Sequence, residues 1–383
     1  MRILLIAPEI IDTHTRRFLQ MLLDSGHIVT CIAMNDPKPE GDEHLTFIKY
    51  PEVYFSRWIL PQKPRRALIE WGIALRLQHI WRQVKPDIVH VIYINLQAYH
   101  SALAGIHPLV MTALGSDINA LFGITNNGVE RTKKIARALL AADHVTADSR
   151  EVLERCEILA GRPLNSSLFY FGIDLNLFRP RPPDEKLSLR KELGIPLKSK
   201  VILSPRRLTP QMKQDLVLRA FSRLKKESNL DAVLLFREFG FLSVSFENIL
   251  RELVKELGIS DWVFWVSEMD YSRIPILYSM ADLILNIPEQ DGLPVTLFEA
   301  SACMTPVITS DLSSYQEYLT DGAYYRVGVG DIDEVVDAMK IVLGESNGDI
   351  TKSLQKNYNL VTQKADQVKC FSGMEQIYQK LVC

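Results

Sequence analysis

The sequence has 383 residues, of which 47% are hydrophobic and 23% charged, as in an ordinary globular protein of roughly two to three domains. Lys and Arg number 44 against 46 Asp and Glu, so the formal charge is -2 and no global attraction to nucleic acid is expected. The five cysteines are scattered and include no C-x-x-C pair, which argues against a disulfide framework or a structural zinc site. No apolar run is long enough to span a membrane, and Met1 leads directly into a strand-like segment, so we expect a cytoplasmic protein without a signal peptide.

The first half of the chain alternates short apolar runs with amphipathic stretches. The runs predict strands at residues 2–7, 28–33, 88–91 and 109–112, and the stretches predict helices at residues 15–23, 68–84 and 128–141. Continuously apolar strands are typical of parallel sheets that helices cover on both faces. Three prolines within residues 180–183 cannot continue a helix or a central strand, so residues 179–184 are predicted to be a linker.

The same alternation restarts after this linker. It predicts strands at residues 201–204, 232–236, 262–266 and 283–286, and helices at residues 215–226, 246–257 and 274–280. The chain is therefore predicted to be an α/β protein with two domains, residues 1–178 and 185–364, followed by a last helix in residues 365–383. We expect the two domains to form a cleft between the carboxyl ends of their sheets, where ligands usually bind.

Residues 288–303 carry the most informative pattern, because they follow a predicted strand and lead into a helix. Pro294 suits the first helical turn, Gly292 lets the backbone approach a ligand, and amides at a helix start attract phosphate. Asp291 precedes this helix, and Glu299 lies about a turn and a half inside it. Asp291 could hydrogen-bond sugar hydroxyls and Glu299 could accept both hydroxyls of a ribose. The structural alternative is a helix-capping Asp291 with a solvated Glu299.

The spacing of Asp291 and Glu299 resembles the E-x7-E signature of the retaining GT-B glycosyltransferases of family 4. Further segments resemble motifs of this family in order and spacing along nearly the whole chain: Lys85-Pro86-Asp87-Ile88-Val89-His90, Gly115-Ser116-Asp117, Ala142-Asp143-His144-Val145, Phe171-Gly172-Ile173-Asp174, Ser204-Pro205-Arg206-Arg207-Leu208 and Cys303-Met304-Thr305-Pro306-Val307-Ile308. The resemblance implies a GT-B fold, with two Rossmann-like domains facing each other across a cleft. It also implies transfer of a sugar, with retention, from a nucleotide diphosphosugar (a UDP- or GDP-sugar) to a glycan, lipid-linked or small-molecule acceptor.

In this family the N-terminal domain binds the acceptor, the C-terminal domain binds the donor, and the last helix packs back on the N-terminal domain. The resemblance assigns the donor's diphosphate to Arg207, with Arg206 as the alternative, and to Lys213, although a shorter loop would place Met212 there. It assigns donor binding also to Gly292, Leu293, Pro294 and Glu299. Asp291, Asp117 and His14 are the catalytic candidates; Asp117 could equally cap the next helix, and His14 could serve phosphate or acceptor. No metal or other cofactor is expected, and the D-x-D of Asp331 and Asp333 is interpreted as a helix cap.

Some positions depart from the family pattern. Leu114 stands where the family usually has a histidine, Met304 replaces a glycine, and Ser313-Ser314 replaces a glycine pair. These departures leave open a second hypothesis, a catalytically silent GT-B protein that binds a glycan, lipid or partner enzyme.

Residues 54–85 form a locally basic and aromatic stretch in a slightly acidic chain. Glu70 is its single acid, against seven basic residues and five aromatic ones: Arg57, Lys63, Arg65, Arg66, Arg76, Arg82, Lys85, Tyr54, Phe55, Trp58, Trp71 and Trp81. Basic side chains beside interfacial aromatics are typical of a surface that binds an anionic membrane. The alternative is an ordinary domain helix that buries Leu68, Trp71, Leu75 and Ile80 and solvates its arginines.

Overall fold

The computed structural model describes residues 1–8, 13–34, 43–53, 62–122, 128–238, 244–267, 269–319, 323–344 and 347–382. The chain divides into two compact units, one formed by Met1–Phe171 with Cys370–Cys383 and the other by Gly172–Lys369. Each unit is built on one sheet, and every strand pairing in both sheets is parallel.

The first unit contains a seven-stranded sheet in the order β3-β2-β1-β4-β5-β6-β7. Its strands are β1 (Arg2–Ile6), β2 (Ile28–Ala33), β3 (Leu45–Lys49), β4 (Ile88–Ile92), β5 (Leu109–Ala113), β6 (His144–Ala147) and β7 (Ser166–Leu168). Its helices are α1 (Thr13–Asp24), α2 (Gln62–Val84), α3 (Leu96–Leu103), α4 (Ser116–Asn119), α5 (Val129–Ala141) and α6 (Arg150–Ala160). Helices α2, α3, α5 and α6 cover one face of the sheet and α1 covers the other, which explains why the strands are mostly apolar.

The second unit contains a six-stranded sheet in the order β10-β9-β8-β11-β12-β13. Its elements follow in chain order: α7 (Pro183–Glu192), β8 (Lys200–Ser204), α8 (Gln214–Glu227), β9 (Ala232–Arg237), α9 (Val244–Glu256), β10 (Val263–Val266), α10 (Ile274–Met280), β11 (Leu283–Asn286), α11 (Val295–Ala302), β12 (Val307–Ser310), α12 (Ser313–Leu319), β13 (Tyr325–Val327), α13 (Ile332–Gly344) and α14 (Asn347–Lys364). Helices α8, α9 and α13 share one apolar core with the sheet.

In each sheet, successive strands are first added on one side of the first strand and then on the other, so the direction of winding reverses once. Strands β1 and β4 are neighbours in the first sheet, as β8 and β11 are in the second, although other strands separate them along the chain. In doubly wound sheets, ligands bind outside the carboxyl ends of the strands at such a switch point. In the second unit this point is formed by residues 205–213, after β8, and residues 287–294, after β11.

The last helix, α15 (Gln367–Val382), contributes to the core of the first unit. Phe371, Met374 and Tyr378 are buried in one cluster with Phe18 of α1. The Tyr378 hydroxyl lies 2.5 Å from Nδ1 of the fully buried His90. The end of the chain therefore packs on the first unit, although it follows the second in sequence.

The division between the units lies before the predicted boundary. Gly172 has a φ of 60°, and a Cβ at this position would lie 2.8 Å from the Cα of Gln367. Ile173 forms a β-bridge with Asp366, so residues 172–178 belong to the second unit and not to the first. The predicted linker at residues 179–184 is also part of the second unit, since α7 begins at Pro183 and the Arg179 carbonyl accepts a hydrogen bond from Ser279 Oγ.

The D-x-D segment is a helix cap, because the Asp331 carboxylate accepts a hydrogen bond of 3.0 Å from the Glu334 amide at the start of α13. Among the described residues, no three His, Cys, Asp or Glu side chains form a group that could hold a metal ion. In the same ranges, no helix is long and apolar enough to cross a bilayer.

Candidate active site

The loops after β8 and β11 are tied together in the second unit. The Glu289 amide donates a hydrogen bond of 2.9 Å to the Gln211 carbonyl. Nζ of Lys213 lies 2.8 Å from the Glu289 carboxylate, and this hydrogen bond raises the pKa of Lys213. Lys213 has a φ of 54°, in the left-handed region, directly before the first turn of α8. The structure thus places this predicted lysine at the switch point, paired with an exposed carboxylate.

The Asp291 side chain is fixed by three groups. Arg206 Nη2 lies 2.7 Å from Oδ2, the Tyr315 hydroxyl donates to the same oxygen at 2.8 Å, and the Gly292 amide donates to Oδ1 at 3.0 Å. Ser314 Oγ donates to the Asp291 carbonyl at 2.9 Å. The Arg206 and Asp291 side chains are only 18% and 15% exposed, so this is a largely buried ion pair.

Burial and the Asp291 carboxylate shift the pKa of Arg206 in opposite directions. Burial alone would lower the pKa of Arg206, but the neighbouring Asp291 raises it above its ordinary value. Burial, together with the Asp291 charge, raises the pKa of Tyr315 well above the usual range. Arg206 therefore stays cationic and Tyr315 stays a neutral donor, and both hold Asp291 in one position. Arg206 Nη1 also lies 3.3 Å from the side-chain oxygen of Asn286, at the end of β11.

Arg207 has a different environment from its neighbour Arg206. Its side chain is exposed, and Gln214 Nε2 donates to its carbonyl at 2.8 Å. Within the described ranges, the Arg207 guanidinium forms no ion pair. Arg206 belongs to the buried network around Asp291, whereas the adjacent Arg207 lies outside it. The positive charge of Arg207 is therefore available to a ligand.

Glu299 lies on the inner face of α11. Pro294 has a φ of -76° and is the N-cap of this helix, one position before the first turn in which the sequence pattern places it. Glu299 is 8% exposed and hydrogen-bonds with the buried hydroxyl of Tyr278. Burial and the Glu299 charge both raise the pKa of Tyr278 well above its usual range. Gly292, Leu293 and Pro294 are buried between Asp291 and this helix.

Two catalytic candidates belong to the first unit. Asp117 is fully buried, and its carboxylate accepts hydrogen bonds from the amides of Ile94, Leu114 and Ile118 at 2.7, 3.1 and 3.1 Å. Burial raises its pKa to about 6, although these amides lower it. Asp117 lies within α4 and does not cap it, since Gly115 is the N-cap; its bonds to the loop after β4 and to Leu114 favour a structural role over contact with a sugar. His14 belongs to α1, but its side chain lies outside the described residues.

Sequence reasoning missed most of the groups that hold Asp291. The resemblance offers Arg206 only as the alternative phosphate ligand, and it singles out neither Tyr315 nor Asn286, which contacts Arg206. One signal was present, because Ser313-Ser314 stands where the resemblance has a glycine pair, directly before Tyr315. If Arg207 is the arginine of the G-R-L motif, Arg206 likewise occupies the glycine position. Two of the departures from the family pattern, at Arg206 and Ser314, therefore coincide with residues that contact Asp291.

Two protein families match the chain. Residues 2–149 match the family described as Glycosyl transferase 4-like, and residues 185–359 match Glycosyl transferases group 1. Together these matches cover most of both units.

Among curated proteins, N-acetyl-alpha-D-glucosaminyl L-malate synthase of Bacillus anthracis is 27% identical over 75% of this chain and 74% of its own length. D-inositol 3-phosphate glycosyltransferase 2 of Catenulispora acidiphila is 27% identical over 56% of this chain. The alignment spans only about half, 52%, of that relative's length.

Solved structures match the whole chain at low identity. Sucrose-phosphate synthase from Thermosynechococcus elongatus has a TM-score of 0.80 at 17% identity, covering 100% of this chain and 99% of its own. HepE from Anabaena, in complex with UDP and glucose, has a TM-score of 0.80 at 16% identity and covers 100% of both chains. These likenesses confirm the predicted fold class of two parallel α/β domains. The chain belongs to the GT-B glycosyltransferases of family 4, which confirms the resemblance of its motifs.

Proposed function

We propose that this glycosyltransferase moves a sugar from a nucleotide diphosphosugar, a UDP- or GDP-sugar, with retention of the anomeric configuration. The second unit binds the donor, and the first unit binds a glycan, lipid-linked or small-molecule acceptor. The reaction requires no metal ion or other cofactor and takes place in the cytoplasm. The complexes of HepE with UDP and UDP-glucose support a donor of this class, because the same fold accommodates it there.

The observation that carries this proposal is the exposed charge of Arg207 at the switch point of the second sheet, which forms no ion pair with the residues that the structure describes. When the bond from the anomeric carbon to the diphosphate breaks, negative charge develops on the leaving oxygen. A cationic donor already in place stabilises that charge without reorganisation. Lys213 lies at the other end of the same loop and would exchange its contact with Glu289 for the diphosphate.

Two acids complete the proposed donor site. Glu299, held by Tyr278, presents a carboxylate that can accept both hydroxyls of the nucleotide's ribose. Asp291 lies at the start of α11, where Arg206 and Tyr315 fix its orientation toward the donor sugar. The backbone of Gly292, Leu293 and Pro294 contributes to the wall beside the diphosphate.

One observation favours the silent GT-B alternative. The carboxylate of Asp291 is already neutralised by Arg206, so it has less charge to offer a reacting sugar than an unpaired acid would. In a silent protein, the same site would bind nucleotide without turning it over. Replacing Arg206 by glycine, the residue of the G-R-L motif, would then create or increase turnover.

The two hypotheses are separated by incubation with a panel of nucleotide sugars and measurement of the free nucleotide released. The enzyme hydrolyses one donor slowly, whereas the silent protein binds nucleotide and releases none. In the active enzyme, Arg207→Gln is expected to lower turnover by about 100- to 1000-fold, the usual effect of removing one electrostatic donor. Arg219→Gln, which replaces an exposed arginine on α8 of the same unit, is the matched control and leaves turnover unchanged. Equal turnover in both variants would show that Arg207 does not take part in donor binding or catalysis.

A further inference from the structure

Helix α2 exposes apolar side chains on the side that faces away from its own core. Leu68, Trp71 and Leu75 are 44%, 54% and 59% exposed; we call these three residues the α2 stripe. At about 100° of rotation per residue they lie within about 60° of one another and extend about 10 Å along the helix. The ordinary domain helix expected as the alternative would bury these residues, and this expectation is wrong for all three.

The same helix has a second apolar face, which packs against the sheet of the first unit. Ile73, Ala74 and Leu77 are buried in the core under the sheet of the first unit. Contiguous apolar side chains exposed opposite a face that is already buried in the core are typical of an interaction surface. The α2 stripe is therefore a surface for a partner.

The charges around the α2 stripe decide which partner fits. Glu70, the single acid of α2, points to the opposite side and lies 2.5 Å from Nζ of the buried Lys134. The exposed Arg82 continues the line of the stripe, and the exposed Arg76 lies about 80° to one side of Leu68. Among the described residues, the outward face of α2 itself combines apolar and basic side chains without an acid, and Arg76 also donates a hydrogen bond to the Glu52 carbonyl.

The end of α2 adds a groove to this surface. Trp81, Arg82, Lys85 and Pro86 line an open groove just beyond the α2 stripe. Its apolar walls and two cationic side chains suit the glycerol and phosphate of a lipid headgroup. The aromatic and basic residues 54–61, which belong to the predicted membrane-binding stretch, lie outside the described residues.

We infer that α2 binds an anionic lipid surface, with the α2 stripe entering the headgroup region and Arg76, Arg82 and Lys85 contacting lipid phosphates. Exposed leucines with tryptophan beside arginines are the composition of a helix that lies in the membrane interface. This inference rests on the proposed function and makes it more specific. Of the three proposed acceptor classes, it selects a lipid-linked acceptor presented at a membrane.

The test is co-sedimentation of the full-length protein with vesicles of equimolar phosphatidylcholine and phosphatidylglycerol, against vesicles of phosphatidylcholine alone. We expect binding to the mixed vesicles that weakens with salt. The double variant Arg76→Gln, Arg82→Gln should bind about 25-fold more weakly, at about fivefold for each basic residue. The matched control, Arg219→Gln with Lys226→Gln on α8, removes two exposed cations from the second unit and should bind like the native protein.

A spectroscopic readout tests the α2 stripe itself. On mixed vesicles the tryptophan emission of the native protein should shift to shorter wavelength, and Trp71→Phe should abolish most of this shift. Leu68→Ser with Leu75→Ser should weaken vesicle binding, while Ile158→Ser, at an equally exposed site on α6, should not.

Three results would overturn the inference: no binding of the native protein to mixed vesicles, equal binding by the Arg76 and Arg82 double variant, or a dimer that the Leu68 and Leu75 variant disrupts. Nucleotide release from soluble donor is measured on the same preparations. Because vesicle binding needs no donor, failure of the membrane inference and failure of the proposed function are seen separately.

Discussion

The buried ion pair of Arg206 and Asp291 predicts a measurable coupling energy between these two side chains in a double-mutant cycle. Removing one member of a buried ion pair costs about 3–5 kcal/mol. Here Asp291 keeps its bonds to Tyr315 and Gly292 and is 15% exposed, so Arg206→Met should destabilise the second unit by about 2–3 kcal/mol. Asp291→Asn should also destabilise it. The double variant should lose about 1–3 kcal/mol less than the sum of the two single variants.

Hydrogen exchange of the amides in β8 and β11 is the appropriate assay, because it measures the opening of the second unit in a chain of two units. The control cycle uses Arg273 and Glu192, which lie 2.6 Å apart in the same unit but are 39% and 54% exposed. An exposed pair of this kind contributes about 0–1 kcal/mol. A coupling energy for Arg206 and Asp291 below about 0.5 kcal/mol, or no larger than that of the control pair, would refute the argument that burial makes this pair strong.

Three further predictions concern other sites. Glu299→Gln should weaken nucleotide binding in calorimetry by about 1–3 kcal/mol, whereas Glu252→Gln, at an exposed site on α9, should not; equal affinities would contradict the ribose role. Burial lowers the pKa of His90 to about 3, so His90 favours the fold only while neutral, and stability should fall as the pH drops from about 6.5 toward 3. His90→Gln should flatten this decline in urea unfolding, and an unchanged slope would refute it. Met304 has a φ of 55° where the family motif has glycine, so Met304→Gly should raise the thermal stability by up to about 1 kcal/mol, and a loss of stability would show that its packing outweighs the strain.

The fold could be predicted from the sequence where both faces of a strand are covered. The buried runs of β1, β2, β4, β5, β8, β9 and β11 are mostly apolar, and this pattern indicates a parallel sheet. Strand β3 is only partly buried at the edge of its sheet, and β7 has three residues, two of them serine, so neither stands out from a loop. Tertiary contacts decided the boundary near Gly172, where the chain pairs with a segment almost 200 residues away.

The candidate site was predictable in its location but not in its contacts. The glycine, proline and acids of residues 288–303 mark a loop before a helix, and the structure has one there. The sequence could not show which of two adjacent arginines turns inward, because both lie in the loop after β8, where no strand periodicity fixes the side to which a side chain points. It also could not show that the Asp117 carboxylate is buried and accepts hydrogen bonds from two loop amides and from the Ile118 amide of α4, since a carboxylate after a glycine fits a cap and a substrate contact equally well.

The central claim is that the loops after β8 and β11 bind a nucleotide diphosphosugar. Hydrogen exchange of the full-length protein with and without UDP, and with and without GDP, tests it most directly. One of these nucleotides should slow exchange in residues 205–213 and 288–299 of the native protein and should have a much smaller effect in Arg207→Gln. Protection by neither nucleotide, or protection confined to residues 1–171, would contradict the account.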